Sequence, residues 1–246
     1  MKRLSRRDLE LIASGIVLTY RGLPYVKGSE LFRIDPELVN KDLLGLTVGY
    51  EHLSLDGQTL GLTSFQEMGV EVYDGCNEPF TYVLDGKTIL VEKDLRDDMS
   101  KAGRKNFSLM HEGAHQILKM LYPLDYGAEQ TSAPPLHYYK VKDERFRHSL
   151  DWEEWQANTL AAAILMPEEL LCRALYMFGL GERIDILNRL YRKREYDQFC
   201  NLAQFLGVSK QALAVRLKQL GRLRCAQLDN PHQILDIEGE VDPFEV

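Results

Sequence analysis

Between Leu46 and Glu92 the chain is cut into five short β-like runs, and after Asn106 it reads as helix after helix. That order constrains the fold more than any other feature. The runs are LTVGYEHL, TLGLTSF, GVEVYDG, FTYVL and KTILVEK, and the pairs Asp56-Gly57, Asp74-Gly75 and Asp85-Gly86 supply turns between them. Helical spacing then covers 106–121, 152–165, PEELLCRALYMF, 182–193, 197–205 and 210–220, while 123–150 reads as a loop containing proline and tyrosine. Strands first and helices second predict an α+β fold, a small, mainly antiparallel sheet packed on a helical half. Upstream, DPELVNKDLLGL reads as a short helix with Asp35 as N-cap, Pro36 at its first position and Gly45 near its end.

The N-terminus, MKRLSRRDLELIASGIVLTY, begins with basic residues as a leader would, but Asp8 and Glu10 interrupt its apolar part. It reads instead as an amphipathic helix capped by Ser5, with Asp8 three residues on. No apolar run approaches the roughly 20 residues that a membrane span needs, so no membrane partner is expected. Cys76, Cys172, Cys200 and Cys225 show no paired spacing and are expected to be reduced, which points to the cytoplasm. The formal net charge of −7 argues against a chain whose main work is gripping nucleic acid. The last residues, 229–246, hold acids and no lysine or arginine, as a solvated tail would.

Chemistry concentrates in FSLMHEGAHQIL. Residues four apart share a helix face, so His111 and His115 can present two imidazoles to one ion, with Glu112 roughly 100° round the helix. Zinc suits two neutral imidazoles, and a catalytic zinc keeps one position open for water. The ion lowers the pKa of that water towards about 7, and a neighbouring carboxylate removes the proton. A third protein ligand has to come from elsewhere. The metzincin extension would need glycine at 118 and histidine at 121, where this chain has Leu118 and Leu121. The source is DWEEWQANTLAAAILMP, whose alanines allow close helix packing and whose acids Glu153 and Glu154 lie one turn before the alanine face. Glu154 shares a face with Ala157 and Asn158, and Asn158 can either hydrogen-bond a ligand or pin neighbouring backbone.

Together, His111-Glu112-Gly113-Ala114-His115 and Glu154-Trp155-Gln156-Ala157-Asn158, followed by Ala161-Ala162 and Leu165-Met166-Pro167, resemble the ImmA/IrrE family of zinc metallopeptidases. The resemblance extends to IDPELVNKDLLGL, VEVYD and LAQFLGVSKQALAVRLKQLG, and thus over most of residues 34–221. One departure is Lys119, where many relatives have a further histidine. The resemblance implies His111, His115 and Glu154 as zinc ligands and Glu112 as general base, on a reduced zincin-like fold with a sheet edge beside the active-site helix. TLGLTSF or KTILVEK would supply that edge, and an extended substrate would pair with it. A developing oxyanion needs a second donor, for which His137, Tyr138, Tyr139 and His148 are candidates.

The expected organisation is a metallopeptidase domain over 1–180, a helix-turn-helix-like region over 181–228 and the acidic tail. In that region Lys210, Gln211 and Arg216 lie on the second helix; either they meet DNA or the helix pair docks on the protease, and the net acidity favours docking. The function implied is a cytoplasmic zinc endopeptidase that cleaves a DNA-binding repressor. Its rivals are a DNA-binding regulator and a non-proteolytic antirepressor, either with a structural or vestigial zinc site.

Overall fold

A computed structural model describes residues 3–126, 136–140 and 150–228. Helix α1 (Arg6–Arg21) starts at a capping box: Ser5 Oγ accepts from the Asp8 amide, and Asp8 Oδ2 accepts from the Ser5 amide. Its inward residues, Leu9, Ala13, Val17 and Tyr20, follow helical spacing. Asp35 caps α2 (Pro36–Leu38), which runs into a π-helical turn at Val39–Leu43, and Gly45 follows at φ 65°.

All five expected strands form: β1 (Thr47–Glu51), β2 (Thr59–Ser64), β3 (Glu67–Tyr73), β4 (Pro79–Asp85) and β5 (Thr88–Glu92). Gly57 and Gly86 take the left-handed conformation that their turns require, whereas in the β3–β4 turn that conformation falls to Asn77. A short helix, α3 (Lys93–Asp97), leads to the central helix α4 (Ala102–Leu121), which is continued by α5 (Pro123–Tyr126). Then come β6 (Leu136–Lys140), α6 (Leu150–Leu165), α7 (Glu168–Met177), β7 (Ile184–Leu187), α8 (Lys193–Leu206), α9 (Lys210–Gln219) and β8 (Leu223–Ala226).

The fold is α+β, with mainly antiparallel sheets. The principal sheet has the order β1-β5-β2-β6, parallel only between β1 and β5. The β3–β4 hairpin adds Val70, Val72 and Leu84 to an apolar cluster with Leu53, Leu62 and Leu90. On the other side of α4, a second core joins residues of α1, α4, α6, α7, α8 and α9. α6 lies between α1 and α4, and Ala157, Ala161 and Ala163 along it are fully buried, which small side chains at a close helix contact allow.

Three expectations require correction. TLGLTSF and KTILVEK give β2 and β5, and both are interior strands; β1 and β6 form the edges. β6 arises from the segment read as loop, because its partner, β2, is remote in sequence and leaves no local periodicity to detect. The segment 182–193 is not helical before Lys193, where α8 starts. Ile184–Leu187 pairs in parallel with Leu223–Ala226, and Asn188 Oδ1 accepts from the amides of Leu190 and Tyr191, turning the chain before α8. Ile184 and Leu187 are three apart, a spacing that fits a helix face as well as the two ends of this short strand. Among the described residues no helix is long and apolar enough to cross a membrane.

Candidate metal centre

The α4 helix is wedged between the sheet and α6, so its middle is buried on every side, from Ser108 to Leu118. Its spacing aims His111 and His115 at α6, and both are wholly inaccessible to solvent. Their rings meet edge to face with centroids 4.8 Å apart. Across from them, α6 contributes Glu154, one-third exposed, whose two carboxylate oxygens divide between the rings. Oε2 lies 3.1 Å from His111 Nε2 and Oε1 lies 3.3 Å from His115 Nε2, while the two Nε2 atoms are 3.1 Å apart. Of Glu153 and Glu154, the latter is the one that joins the histidines in a group able to hold a metal ion. Such a group of two imidazoles and one carboxylate is a donor set for a transition-metal ion, with the carboxylate on the more open side.

One turn further along α6, Asn158 Oδ1 accepts a hydrogen bond from His111 Nδ1 at 3.1 Å. An amide oxygen can only accept, so Nδ1 is the donor in this bond, and Nε2 is the ring nitrogen that faces Glu154 and His115. A second group, His52, Glu92 and Asp94, is a structural clasp: Glu92 Oε1 meets His52 Nδ1 at 3.0 Å and Oε2 accepts from the Leu53 amide.

Glu112 is equally buried but faces the sheet. Its approach to β2 is so close that a Cβ at Gly61 would sit 2.7 Å from Glu112 Oε1. The same helix face continues with Gln116, whose Nε2 donates to Thr63 Oγ1 at 2.7 Å and to the Ser64 carbonyl at 2.9 Å. One turn on, Lys119 Nζ donates to the carbonyls of Phe65, at 2.6 Å, and Gly86. Burial holds the Lys119 ammonium below its ordinary pKa, and the nearby Lys87 charge adds to this. Glu112, Gln116 and Lys119, at helical spacing of four and three, thus track β2 from Gly61 to its end. The position where relatives were expected to carry histidine is a clamp on β2.

Gly113, inside the histidine motif, faces a neighbour too. A Cβ there would lie 2.2 Å from Asn40 Oδ1, and Asn40, fully buried, donates to the Leu109 carbonyl. Sequence reading missed Gly61, Gln116 and Asn40. A glycine inside a β-like run was the available signal for Gly61, since it often marks a close approach to a strand. Of the expected oxyanion donors, His137, Tyr138 and Tyr139 lie on β6 opposite Thr63, Leu62 and Gly61, and His148 falls outside the described residues. Trp152 and Trp155 stack on each other at 4.6 Å, beside Glu154 on α6.

The helix pair α8–α9 docks on the start of α4, the end of α6 and α1. Gly207 closes α8 in the left-handed conformation, and Ser209 Oγ caps α9 through the Ala212 amide. The turn lies so close to α4 that a Cβ at Gly103 would come within 2.5 Å of Val208 and Ser209 backbone, and Asn106 Nδ2 donates to the Gly207 carbonyl at 2.8 Å. Arg216, one of the three polar residues weighed for DNA contact on the second helix, is fully buried. Its Nε donates to the Met166 carbonyl at 3.1 Å, and its guanidinium grips both oxygens of Glu10. Lys210 and Gln211 remain exposed.

Residues 78–218 match the family described as the IrrE N-terminal-like domain, peptidase M78. The matched span holds both motif helices and all of α9 but its last residue, and begins inside the β3–β4 hairpin region. No curated protein matches the chain.

Proposed function

The chain belongs to the IrrE N-terminal-like, peptidase M78 family, a metallopeptidase-type family, and from that membership and the donor triangle of His111, His115 and Glu154 we propose that it is a zinc-dependent endopeptidase. The triangle is the observation that carries this reading. Two donors bound tetrahedrally at about 2.0–2.1 Å from one zinc lie roughly 3.3 Å apart; the Nε2 atoms of His111 and His115 are 3.1 Å apart, and each has one Glu154 oxygen close by, Oε2 at 3.1 Å from His111 and Oε1 at 3.3 Å from His115. A structural zinc usually closes all four positions with protein ligands. Here three residues, one of them a one-third-exposed carboxylate, form the donor group, and a further buried acid, Glu112, adjoins His111 in the chain.

His111, His115 and Glu154 would hold the ion, and Asn158 would keep His111 in the ligating tautomer. Zinc, when bound, supplies the Lewis acid that polarises a scissile carbonyl and acidifies water. Glu112 takes the proton from the attacking water and returns it to the leaving amine. Gly61 leaves that buried carboxylate room against β2. The substrate we assign is a protein segment in a DNA-binding repressor, and the free cysteines accord with a cytoplasmic setting. Docking of α9 through Arg216 favours a structural role for the helix pair over DNA reading.

The test is metal content with activity. The parent chain should carry one zinc per chain, measured by mass spectrometry of the native protein, and cleave fluorescein-labelled casein or its repressor. Glu154→Ala should weaken zinc binding by more than the roughly 10–100-fold that loss of a ligand's outer partner costs, and cleavage should go with it. A variant that retains parental zinc affinity would remove Glu154 from the ligand set. Gly61→Ala should act differently. The added methyl must displace Glu112, so cleavage should fall at least about tenfold while zinc content holds, in line with the cost of misplacing a catalytic group. Unchanged kcat/KM in that variant would show that Glu112 is not held against β2.

A further inference from the structure

Strand β2 lies beside the Glu112 carboxylate at Gly61, and both of its edges are taken. On one side Gly61 is opposite Val91 of β5; on the other it is opposite Tyr139 of β6. β6 runs antiparallel to β2, with Thr63 opposite His137 and Ser64 opposite Leu136, and the register shifts between Thr59 and Gly61, next to the residue that faces Glu112. A peptide cut with the help of Glu112 must lie extended near Gly61, and the sheet has no vacant strand position there. A segment paired with the outer edge of β6 would lie about 4.8 Å further out.

We propose that β6 is a built-in occupant of the substrate edge. Leu136–Lys140 pairs with β2 where an extended polypeptide substrate has to pair, and it must leave before that substrate can add to the sheet. The inference rests on the peptidase reading for what the edge is used for, and on backbone register for what fills it. Its physical basis is general: a strand edge presents a row of unpaired amides and carbonyls that binds any extended chain, and covering it with a chain's own strand blocks that addition. Exchange of one antiparallel strand for another keeps β2 satisfied before and after. A partner that draws β6 away would therefore switch the enzyme on without altering the metal ligands.

Successive amides of a strand point to opposite edges, so the double variant Tyr138→Pro, Tyr139→Pro must delete one donor facing β2. The probe is a fluorescein-labelled peptide copying residues 134–142, read by anisotropy against the full chain in a Glu112→Gln background, where cleavage does not interfere. The strand-broken chain should bind it at least tenfold more tightly than the chain with β6 intact. Equal affinity would overturn the proposal. Weaker binding would overturn it as well, since β6 would then be the accepting edge. Hydrogen exchange on the unmodified chain gives a second reading that needs no variant to fold. The β2 amides facing β6 should exchange at least tenfold faster than those facing β5, through opening of β6 alone. Equal rates on the two edges would mean that β6 does not leave short of wider unfolding, and would overturn the proposal. Casein cleavage by the chains that retain Glu112 reports separately. No cleavage by either, together with tighter peptide binding by the strand-broken chain, would count against the peptidase reading alone.

Discussion

Replacing Glu112 with glutamine should lower kcat/KM for a protein substrate by roughly 10²–10⁴-fold, the span that a positioned general acid–base contributes, and leave zinc content at the parental level. Glutamine has nearly the shape of glutamate, so the close fit against Gly61 survives while the proton acceptor is lost. The comparison isolates chemistry from folding because Glu112 lies outside the donor triangle formed by His111, His115 and Glu154. Parental turnover in the glutamine variant would defeat the mechanism outright. Loss of zinc in it would instead make Glu112 a ligand. The same inactive chain is the natural bait for the substrate: a repressor should remain bound to it intact and be cut by the parent.

The second large effect concerns stability. Arg216→Ala should lower the unfolding free energy by about 3 kcal/mol, the low end of the ~3–5 kcal/mol that follows when one partner of a buried ion pair is removed. The low end is chosen because Glu10, the partner left behind, is 29% exposed and recovers part of its hydration. At ~2–4 °C per kcal/mol for a chain of this size, the melting temperature should drop by roughly 6–12 °C. The arginine joins the starts and ends of three helices: α1 through Glu10, the Leu165-Met166-Pro167 end of α6 through the Met166 carbonyl, and α9 itself. A shift of under about 2 °C would mean that this joint contributes little. Duplex DNA binding that falls on Arg216→Ala in a chain that still folds as the parent would restore the recognition-helix reading. Because the α8–α9 turn also rests on α4 at Gly103 and Asn106, the loosening should reach the metal centre as weaker zinc retention near the melting transition.

Several features of this molecule were legible because they are local. Ser5 with Asp8 marked the start of α1, Asp35-Pro36 the start of α2, and the Asp-Gly pairs the turns of the sheet, since caps and turns are set by residues within four positions. The histidine pair was legible for the same reason: helical phase alone puts residues 111 and 115 on one face and 112 on another. Where the local pattern was degenerate it misled, as with 182–193, whose apolar spacing served a helix and a short strand equally well until β8 supplied a partner.

Which of Glu153 and Glu154 reaches the histidines depended on the rotation of α6 against α4, a property of how alanine faces pack and not of either helix alone. The polarity of α9 gave no hint that its arginine is turned inward, because a guanidinium on a helix reads the same whether it meets solvent or a glutamate 206 residues away. The sheet edge was beyond local reading altogether: β6 gains strand structure only by pairing with β2, more than seventy residues earlier. The sequence by itself determined the chemistry available here, two imidazoles, a base and an acid on helices of known phase. Tertiary structure alone decided which acid joins them, which glycine lets the base approach the sheet and which strand lies along that edge, because each depends on distances between segments that no residue pattern encodes within one segment.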